Sequence, residues 1–168
     1  FWAFLAFSPS LDLGCGDGLA AKVVFEKPVD FGLDVNPLSL KEAEKRVVFR
    51  KTVLARAEDT QLEDKSLNLV FANCVIEHIP NLKAVLKEVH RVLSPGGVFI
   101  ATAPGQYFKD YGVLGAIGSK HLSRLYGRLR NKKLSHHHCL SLPEWKTILQ
   151  EHGLELLDGY YYISEKDM

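Results

Sequence analysis

Three glycines on alternate positions follow a short apolar run near the start of the chain, in the stretch SLDLGCGDGLA. Each glycine costs conformational entropy on folding, so Gly14, Gly16 and Gly18 together indicate a turn that must come close to something. That neighbour is either the chain's own helix or a ligand. The turn after the first strand of an open parallel sheet is where such sheets bind ligands.

Two aspartates suggest what the ligand contains. Asp34 follows Gly14 by 20 residues, at the end of the next apolar run, where a carboxylate can accept hydrogen bonds from the hydroxyls of a ribose. Asp12 lies beside the turn, where its charge would repel a pyrophosphate and attract an ammonium group. Leu19 also breaks the dinucleotide pattern GxGxxG. These residues predict a nucleoside joined to an amino-acid tail.

The elements that must position these residues alternate between short apolar runs and helical patterns, as in βαβ units with a parallel sheet. We predict strands at 10–13, 29–35, 51–55, 66–74, 98–103 and 154–164. We predict helices at 18–26, 37–49, 81–93 and 141–153, the last with a capping box from Ser141 to Glu144. The expected fold class is α/β, with a doubly wound, mostly parallel, Rossmann-like sheet in a single domain, residues 1–168.

Composition indicates the size of the core, the class of partner and the cellular location. A chain of 168 residues that is 46% hydrophobic can bury one core, and a net charge of +1 points to no class of partner. Three cysteines without a CxxC pair indicate reduced thiols and a cytoplasmic location. The apolar opening FWAFLAF is far shorter than the roughly 20 residues that span a bilayer.

Positive charge is concentrated in residues 105–139, which we interpret as a basic helical insertion over the working edge of the sheet. The segment holds seven lysines and arginines but a single acid, Asp110. It could be a solvated helix, recognise an anionic acceptor, or be attracted to an anionic membrane surface. We favour the first two over the membrane, and nucleic acid least, because no recognition pattern accompanies the charge.

The stretch LDLGCGDG resembles motif I of the class I S-adenosylmethionine-dependent methyltransferases. GLDVNP is similar to their second motif, and ARAEDTQLEDKSLNLVFANCVIEHI to their third and fourth. LKEVHRVLSPGGVFIATAP is similar to the helix and fifth strand of the small-molecule, methyltransferase type 11-like branch. The resemblance implies methyl transfer from S-adenosyl-L-methionine to a small-molecule acceptor, and it leaves open whether oxygen, nitrogen or carbon is methylated.

The resemblance also implies a cofactor-binding role for residues at the ends of the first four strands. Those around the methionine part would be Asp12, Gly14 and Gly16, and Cys15 in the same turn would also bind the cofactor. Those around the ribose and adenine would be Asp34, Val35, Asn36, Ala57 and Glu58. Those facing the methyl group would be Asn73 and Cys74.

The chain departs from the family pattern at two residues and at both ends. Arg56 and Asn68 stand where the family often has aspartate. Family members usually have a helix before motif I and a seventh strand after the sixth. We therefore expect this chain to begin inside a longer protein and to be truncated at both ends.

Histidines supply the candidates for proton transfer. His78, in IEHIP, is our candidate catalytic residue, and a histidine packed at a helix start is the equal alternative. We interpret Glu77 as structural. The run HHHC at 136–139 could line a substrate pocket, lie on a plain surface or bind a metal. We expect no metal, because adjacent residues on an extended segment point to opposite sides.

Two other functions stay open on the sequence. A catalytically silent S-adenosylmethionine-binding domain would carry the same turn and the same carboxylates. An NAD-dependent oxidoreductase is the weaker alternative, because Leu19 and Asp12 oppose it. The sequence predicts no oligomeric state.

Overall fold

The computed structural model describes residues 7–106, 129 and 133–161. Of these, 7–76 and 81–102 form one compact unit, called here the sheet unit. Residues 77–80 form another with 103–106, 129 and 133–161, called here the second unit. The described part of the chain contains no helix that combines the length and the apolar character needed to cross a membrane. The single-domain organisation stays a prediction.

The sheet unit contains a five-stranded parallel sheet. Its strands are β1 (Ser10–Leu13), β2 (Val29–Asp34), β3 (Phe49–Leu54), β4 (Leu67–Asn73) and β5 (Leu93–Thr102). Its helices are α1 (Leu19–Val24), α2 (Pro37–Arg46) and α3 (Leu82–Val92). The strand order is β3-β2-β1-β4-β5, with every pair parallel. The order reverses between β1 and β4, which confirms the predicted doubly wound fold class.

The two central strands carry the core. Central strands of a parallel sheet are covered on both faces and therefore consist of buried apolar residues. Leu11 and Leu13 of β1 and Val70 of β4 are fully buried. The ring of Phe71 meets that of Phe25 edge to face, with centroids 5.3 Å apart. This packing fixes the carboxyl ends of β1 and β4, from which the candidate site is built.

The helix boundaries follow from capping. Asn36 caps α2, because its side-chain oxygen accepts hydrogen bonds from the N–H groups of Leu38 and Ser39. Asn81 caps α3 in the same way, through the N–H of Ala84. The apolar residues of α3 recur at helical spacing and are buried along its length: Leu82, Val85, Leu86, Val89 and Val92. Both helices therefore start where local sequence signals place them.

Strand β5 begins earlier than predicted. Leu93 directly follows α3 and pairs with Leu67, whereas Leu69 pairs with Val98. The sequence SPGG thus lies inside β5, where a register shift accommodates the extra residues. The helix α3 ends at Val92, before the glycines and the proline, and the chain enters β5 directly at Leu93.

The second unit contains the helix α4 (Leu142–Glu151), which is described over its whole length. Its capping box is confirmed, because Ser141 and Glu144 bond reciprocally. The predicted strand at 154–164 is wrong for residues 154–161, which form no strand. Leu157 and Tyr160 are exposed there, and an apolar run becomes a strand only where a neighbouring edge pairs with it. Residues 162–164 and most of the predicted basic insertion, 107–128 and 130–132, lie outside the described residues.

Candidate functional site

The glycine turn is tied to the end of the neighbouring strand. The backbone N–H groups of Gly14 and Cys15 both donate to the carbonyl oxygen of Leu33, at 2.7 and 2.9 Å. The φ angles of Gly14, Gly16 and Gly18 are 74, 54 and 79°. This left-handed region strains every side-chain-bearing residue, which explains why the turn uses glycine.

The three glycines serve different purposes. A Cβ on Gly14 would lie 2.5 Å from the Cγ1 of Val75, and one on Gly18 would lie 2.8 Å from the Cγ2 of Val48. Both positions therefore permit close packing. A Cβ on Gly16 would meet no atom of the described part of the chain within 4 Å. Packing does not explain Gly16, whose open face leaves the backbone accessible to a ligand.

Asp34 lies beside that open face. Its Oδ2 accepts a hydrogen bond from the N–H of Gly16 at 2.9 Å, and its Oδ1 accepts one from the N–H of Asn36 at 2.8 Å. A carboxylate has about four acceptor positions, so this carboxylate can still accept two hydroxyl groups. The predicted ribose contact is compatible with this geometry.

Asp12 is a buried carboxyl group beside the turn. Its side chain is 2% exposed, and its Oδ2 has no hydrogen-bond partner among the described residues. Burial, together with the negative charge of Asp34, raises the pKa of Asp12 to about 7. A buried carboxylate of this kind requires a proton or a cation. The pair fits a ligand with vicinal hydroxyls and an ammonium group.

Three other predicted cofactor-binding residues differ in burial and in hydrogen bonding. Cys15 is buried, and burial raises the pKa of its thiol, which therefore stays protonated. Val35 is exposed at the end of β2 and can lie against a planar ring. The side-chain oxygen of Asn36 caps α2, so its role in the fold is already defined.

The loop after β3 holds Glu58 in a set orientation. Arg56 Nη2 lies 2.8 Å from Glu58 Oε1, so the arginine that departs from the family pattern pairs with the predicted adenine contact. Ala57, between them, is buried. The other departure, Asn68, donates its side-chain amide to the carbonyl of Ser8 at 2.7 Å.

Glu88 of α3 supports this loop and was not identified from the sequence. Its Oε1 accepts hydrogen bonds from the N–H and the hydroxyl of Thr60 at 2.8 and 2.7 Å. Arg91, one turn further on, pairs with the same carboxylate at 2.7 Å. An acid and a base three residues apart are a weak signal, because exposed pairs of this type are common. Here the acid is buried, which the sequence does not reveal.

Thr102 at the end of β5 is a second residue that the sequence did not single out. Its hydroxyl donates to Asn73 Oδ1 at 2.6 Å, and its carbonyl accepts from the N–H of Cys74 at 3.1 Å. These bonds orient the two residues predicted to face the methyl group. These hydrogen bonds form because β5 pairs with β4, so that Thr102 lies opposite Asn73.

The second unit brings three of the remaining candidates together. His78 Nε2 lies 3.8 Å from Glu77 Oε1. The ring of His136, from the HHHC run, lies with its centroid 5.0 Å from that of His78. Glu77 is 1% exposed, and its Oε2 has no hydrogen-bond partner among the described residues. The catalytic role of His78 stays a prediction.

Comparison with known proteins places residues 11–101 in the family described as Methyltransferase domain. The chain is 35% identical over 91 residues to a malonyl-[acyl-carrier protein] O-methyltransferase of Hamiltonella defensa. The aligned region covers 54% of this chain and 35% of that relative. The chain is 31% identical over 98 residues to a trans-aconitate 2-methyltransferase of Methylobacterium radiotolerans, at 56% and 37% coverage. The chain spans about a third of the length of these curated relatives.

A solved structure shares the fold. Phosphoethanolamine N-methyltransferase 2 of Haemonchus contortus, in complex with S-adenosyl-L-methionine, matches with a TM-score of 0.66 at 22% identity. The match covers 86% of this chain and 32% of that one. At this identity the likeness establishes a common architecture.

Proposed function

The chain belongs to the methyltransferase domain family, and from this premise we propose that it transfers a methyl group from S-adenosylmethionine to a small-molecule acceptor. S-adenosylmethionine is the cofactor of this class I family, as the sequence predicted. One observation carries the proposal. The buried carboxylate of Asp12, whose Oδ2 has no hydrogen-bond partner among the described residues, lies beside a glycine turn in which the N–H of Gly16 donates to Asp34.

The binding roles follow from the charges and the free acceptor positions. Asp12 would pair with the ammonium group of the methionine part, because a cation relieves its burial. Asp34 would accept the ribose hydroxyls with the lone pairs that Gly16 and Asn36 leave free. Glu58, held by Arg56, would accept from the exocyclic amine of adenine.

The chemistry asks the chain mainly for alignment and for exclusion of water. When bound, the cofactor supplies a methyl group on a sulfonium, whose leaving group is a neutral thioether. Asn73 and Cys74, oriented by Thr102, would face that methyl group. A general base is needed only for a hydroxyl or a protonated amine, and His78 is the residue we propose for it.

We propose a small molecule rather than a nucleic acid or a membrane lipid, and an anionic one if the basic segment 105–139 contacts it. The relatives' names include both an O- and an N-methyltransferase, so the methylated atom stays open. We also propose a cytoplasmic location, in keeping with the free cysteines Cys15, Cys74 and Cys139.

A thermal-shift titration with S-adenosylmethionine, S-adenosylhomocysteine and NAD tests the proposal. A ligand at about 100 times its Kd stabilises by about 2.7 kcal/mol, or about 5–11 °C for a domain of this size. We expect a shift with the first two and none with NAD. A shift with NAD alone would overturn the proposal. Labelled-methyl transfer to panels of carboxylate, amine and phenol acceptors then tests catalysis, and binding without turnover on any acceptor would favour the silent domain.

A further inference from the structure

The second unit contains a cluster of metal-ligating side chains from two separate segments. Glu77, His78 and His136 each offer one ligand atom, and these atoms all lie within 4.8 Å of one another. The first two come from the turn after β4 and the third from the HHHC run. Nothing in the cofactor site uses the carboxylate of Glu77 or the imidazole of His136.

The carboxylate of Glu77 is the group that most needs a partner. Its side chain is 2% exposed, and its Oε2 has no hydrogen-bond partner among the described residues. Removal of a carboxylate from water is unfavourable unless a cation, a proton or hydrogen bonds compensate it. His78 Nε2 lies 3.8 Å from Oε1 of this carboxylate, a distance that is too long for a hydrogen bond. A cation in the cluster would satisfy this group.

The histidines are positioned as metal ligands usually are. His78 Nδ1 lies 3.4 Å from the carbonyl oxygen of Ser135. In the tautomer that carries the proton on Nδ1, Nε2, which lies 3.8 Å from Glu77 Oε1, can ligate an ion. A ligating imidazole typically donates its second N–H to a carbonyl or a carboxylate in this way. The ring of His136 lies at 55° to that of His78.

Backbone contacts hold the two segments together. The N–H of His137 donates to the carbonyl of Glu77 at 2.7 Å, and Nε2 of His138 lies 2.9 Å from the carbonyl of Ile79. One histidine of the run therefore joins the cluster, another is exposed, and the third contacts the backbone. The sequence argument against a metal concerned adjacent histidines sharing one ion, and this cluster does not require that.

We propose that Glu77, His78 and His136 bind a divalent transition-metal ion of the zinc class. Two imidazole nitrogens and one carboxylate oxygen are a ligand set of open zinc sites, in which water or another oxygen donor takes the fourth position. Zinc–nitrogen bonds of about 2.0–2.1 Å in tetrahedral geometry place ligand atoms about 3.4 Å apart. Rotation of the side chains that moves each ligand atom by about 1 Å would bring the three atoms to these distances from one another. With the ion bound, His78 is a ligand rather than a base.

Zinc binding by the whole chain, freed of metal with a chelator, tests this inference. Zn²⁺ is titrated in competition with a chromophoric chelator, and bound metal is counted after dialysis. We expect one ion per chain and an increase in melting temperature. His78→Ala and His136→Ala should each weaken binding by at least about 100-fold, and Glu77→Gln by at least about 10-fold. Co²⁺ in place of Zn²⁺ should give visible absorption that His136→Ala abolishes.

His137→Gln is the matched control, because it removes the neighbouring exposed imidazole and keeps the backbone bond to Glu77. It should bind Zn²⁺ like the unaltered chain. Equal weakening by His137→Gln and His136→Ala would overturn the proposal, as would unchanged binding in His78→Ala and His136→Ala. Absence of saturable binding by the unaltered chain would also overturn it. The readout is the ion, so the result is independent of methyl transfer.

Discussion

The carboxylate of Asp34, at the end of β2, accepts a hydrogen bond from the backbone N–H of Gly16 at 2.9 Å. A residue predicted to hold a ribose therefore also shapes the glycine turn that would receive the rest of the cofactor. Its second oxygen accepts from Asn36, at the start of α2. One side chain thus connects the turn after β1, the end of β2 and the next helix.

Asp34→Ala should weaken both cofactor binding and the fold. We expect the affinity for S-adenosylmethionine to fall by at least about tenfold, because loss of a charged acceptor costs about 1.5–3 kcal/mol. Stability should fall by about 1–2 kcal/mol, because two backbone N–H groups lose their acceptor. Calorimetric titration and urea unfolding measure the two effects.

Asp30→Asn is the control for this variant. Asp30 lies in the same strand, and its carboxylate accepts hydrogen bonds from the hydroxyl of Ser8 and the backbone N–H of Ser10. The substitution therefore also removes one negative charge from a side chain that accepts a backbone hydrogen bond. We expect some loss of stability and unchanged affinity. Unchanged affinity in Asp34→Ala would contradict ribose binding by Asp34.

Gly16→Ala should separate binding from stability. The added methyl group meets no atom of the described residues within 4 Å, but φ of 54° strains alanine by about 1–2 kcal/mol. Because the methyl group would occupy the space assigned to the cofactor, we expect affinity to fall by at least about tenfold. Gly96→Ala provides the comparison, since Gly96 has φ of 80° and also faces open space. It should show the same strain with normal affinity, and similar affinity losses in both variants would refute the assignment of Gly16.

Asp12→Asn should change the pH dependence of stability. The pKa of Asp12 is about 7 in the folded chain, against an ordinary value of 3.8, so the folded state binds the proton more tightly than the unfolded chain. The resulting stabilisation is fully present below pH 3.8 and is lost as the pH rises through 7. At pH 8 the asparagine variant should therefore be more stable than the unaltered protein, by about 2–4 kcal/mol, and this advantage should disappear near pH 4.

Asp12→Asn should also bind the cofactor weakly. In the unaltered chain we expect the affinity to rise between pH 6 and 8, because Asp12 gains its negative charge there, and the variant should lack this rise. Denaturant unfolding and titration calorimetry across this range measure both effects. Asp59→Asn, at an exposed position, should behave like the unaltered chain. A stability difference that does not vary with pH would argue against a raised pKa at Asp12.

Glu88→Ala should loosen the loop that carries Ala57 and Glu58. Burial alone would raise the pKa of Glu88, but hydrogen bonds from Arg91 and Thr60 outweigh it and lower the pKa to about 2. This stabilisation is present above pH 4.5 and is lost as the pH falls toward 2. We expect the variant to lose about 2–4 kcal/mol at pH 7, because it leaves buried donors unsatisfied.

Chemical unfolding at pH 7 and pH 3 measures this loss, which should be smaller at the lower pH. Lys87→Ala, at the exposed neighbouring position of α3, should change stability by less than about 0.5 kcal/mol. Equal stability of Glu88→Ala and Lys87→Ala would show that the network contributes nothing.

Local patterns in the sequence were sufficient for the architecture. The alternation of apolar runs and helical periodicity predicted the parallel sheet, and the spacing from Gly14 to Asp34 predicted that the two lie at one edge. The capping residues Ser141 and Glu144 marked the start of α4. Each of these signals acts within a few residues or repeats with a regular period, so it can be detected along the chain.

Only the tertiary structure decided which distant side chains meet. The hydroxyl of Thr102 orients Asn73 because β5 lies beside β4. The apolar residues after α4 form no strand through residue 161, since a strand depends on an edge that its own sequence does not contain. His136 meets Glu77 and His78 across almost sixty positions. Contacts of this kind depend on the path of the backbone, which composition and spacing do not encode locally.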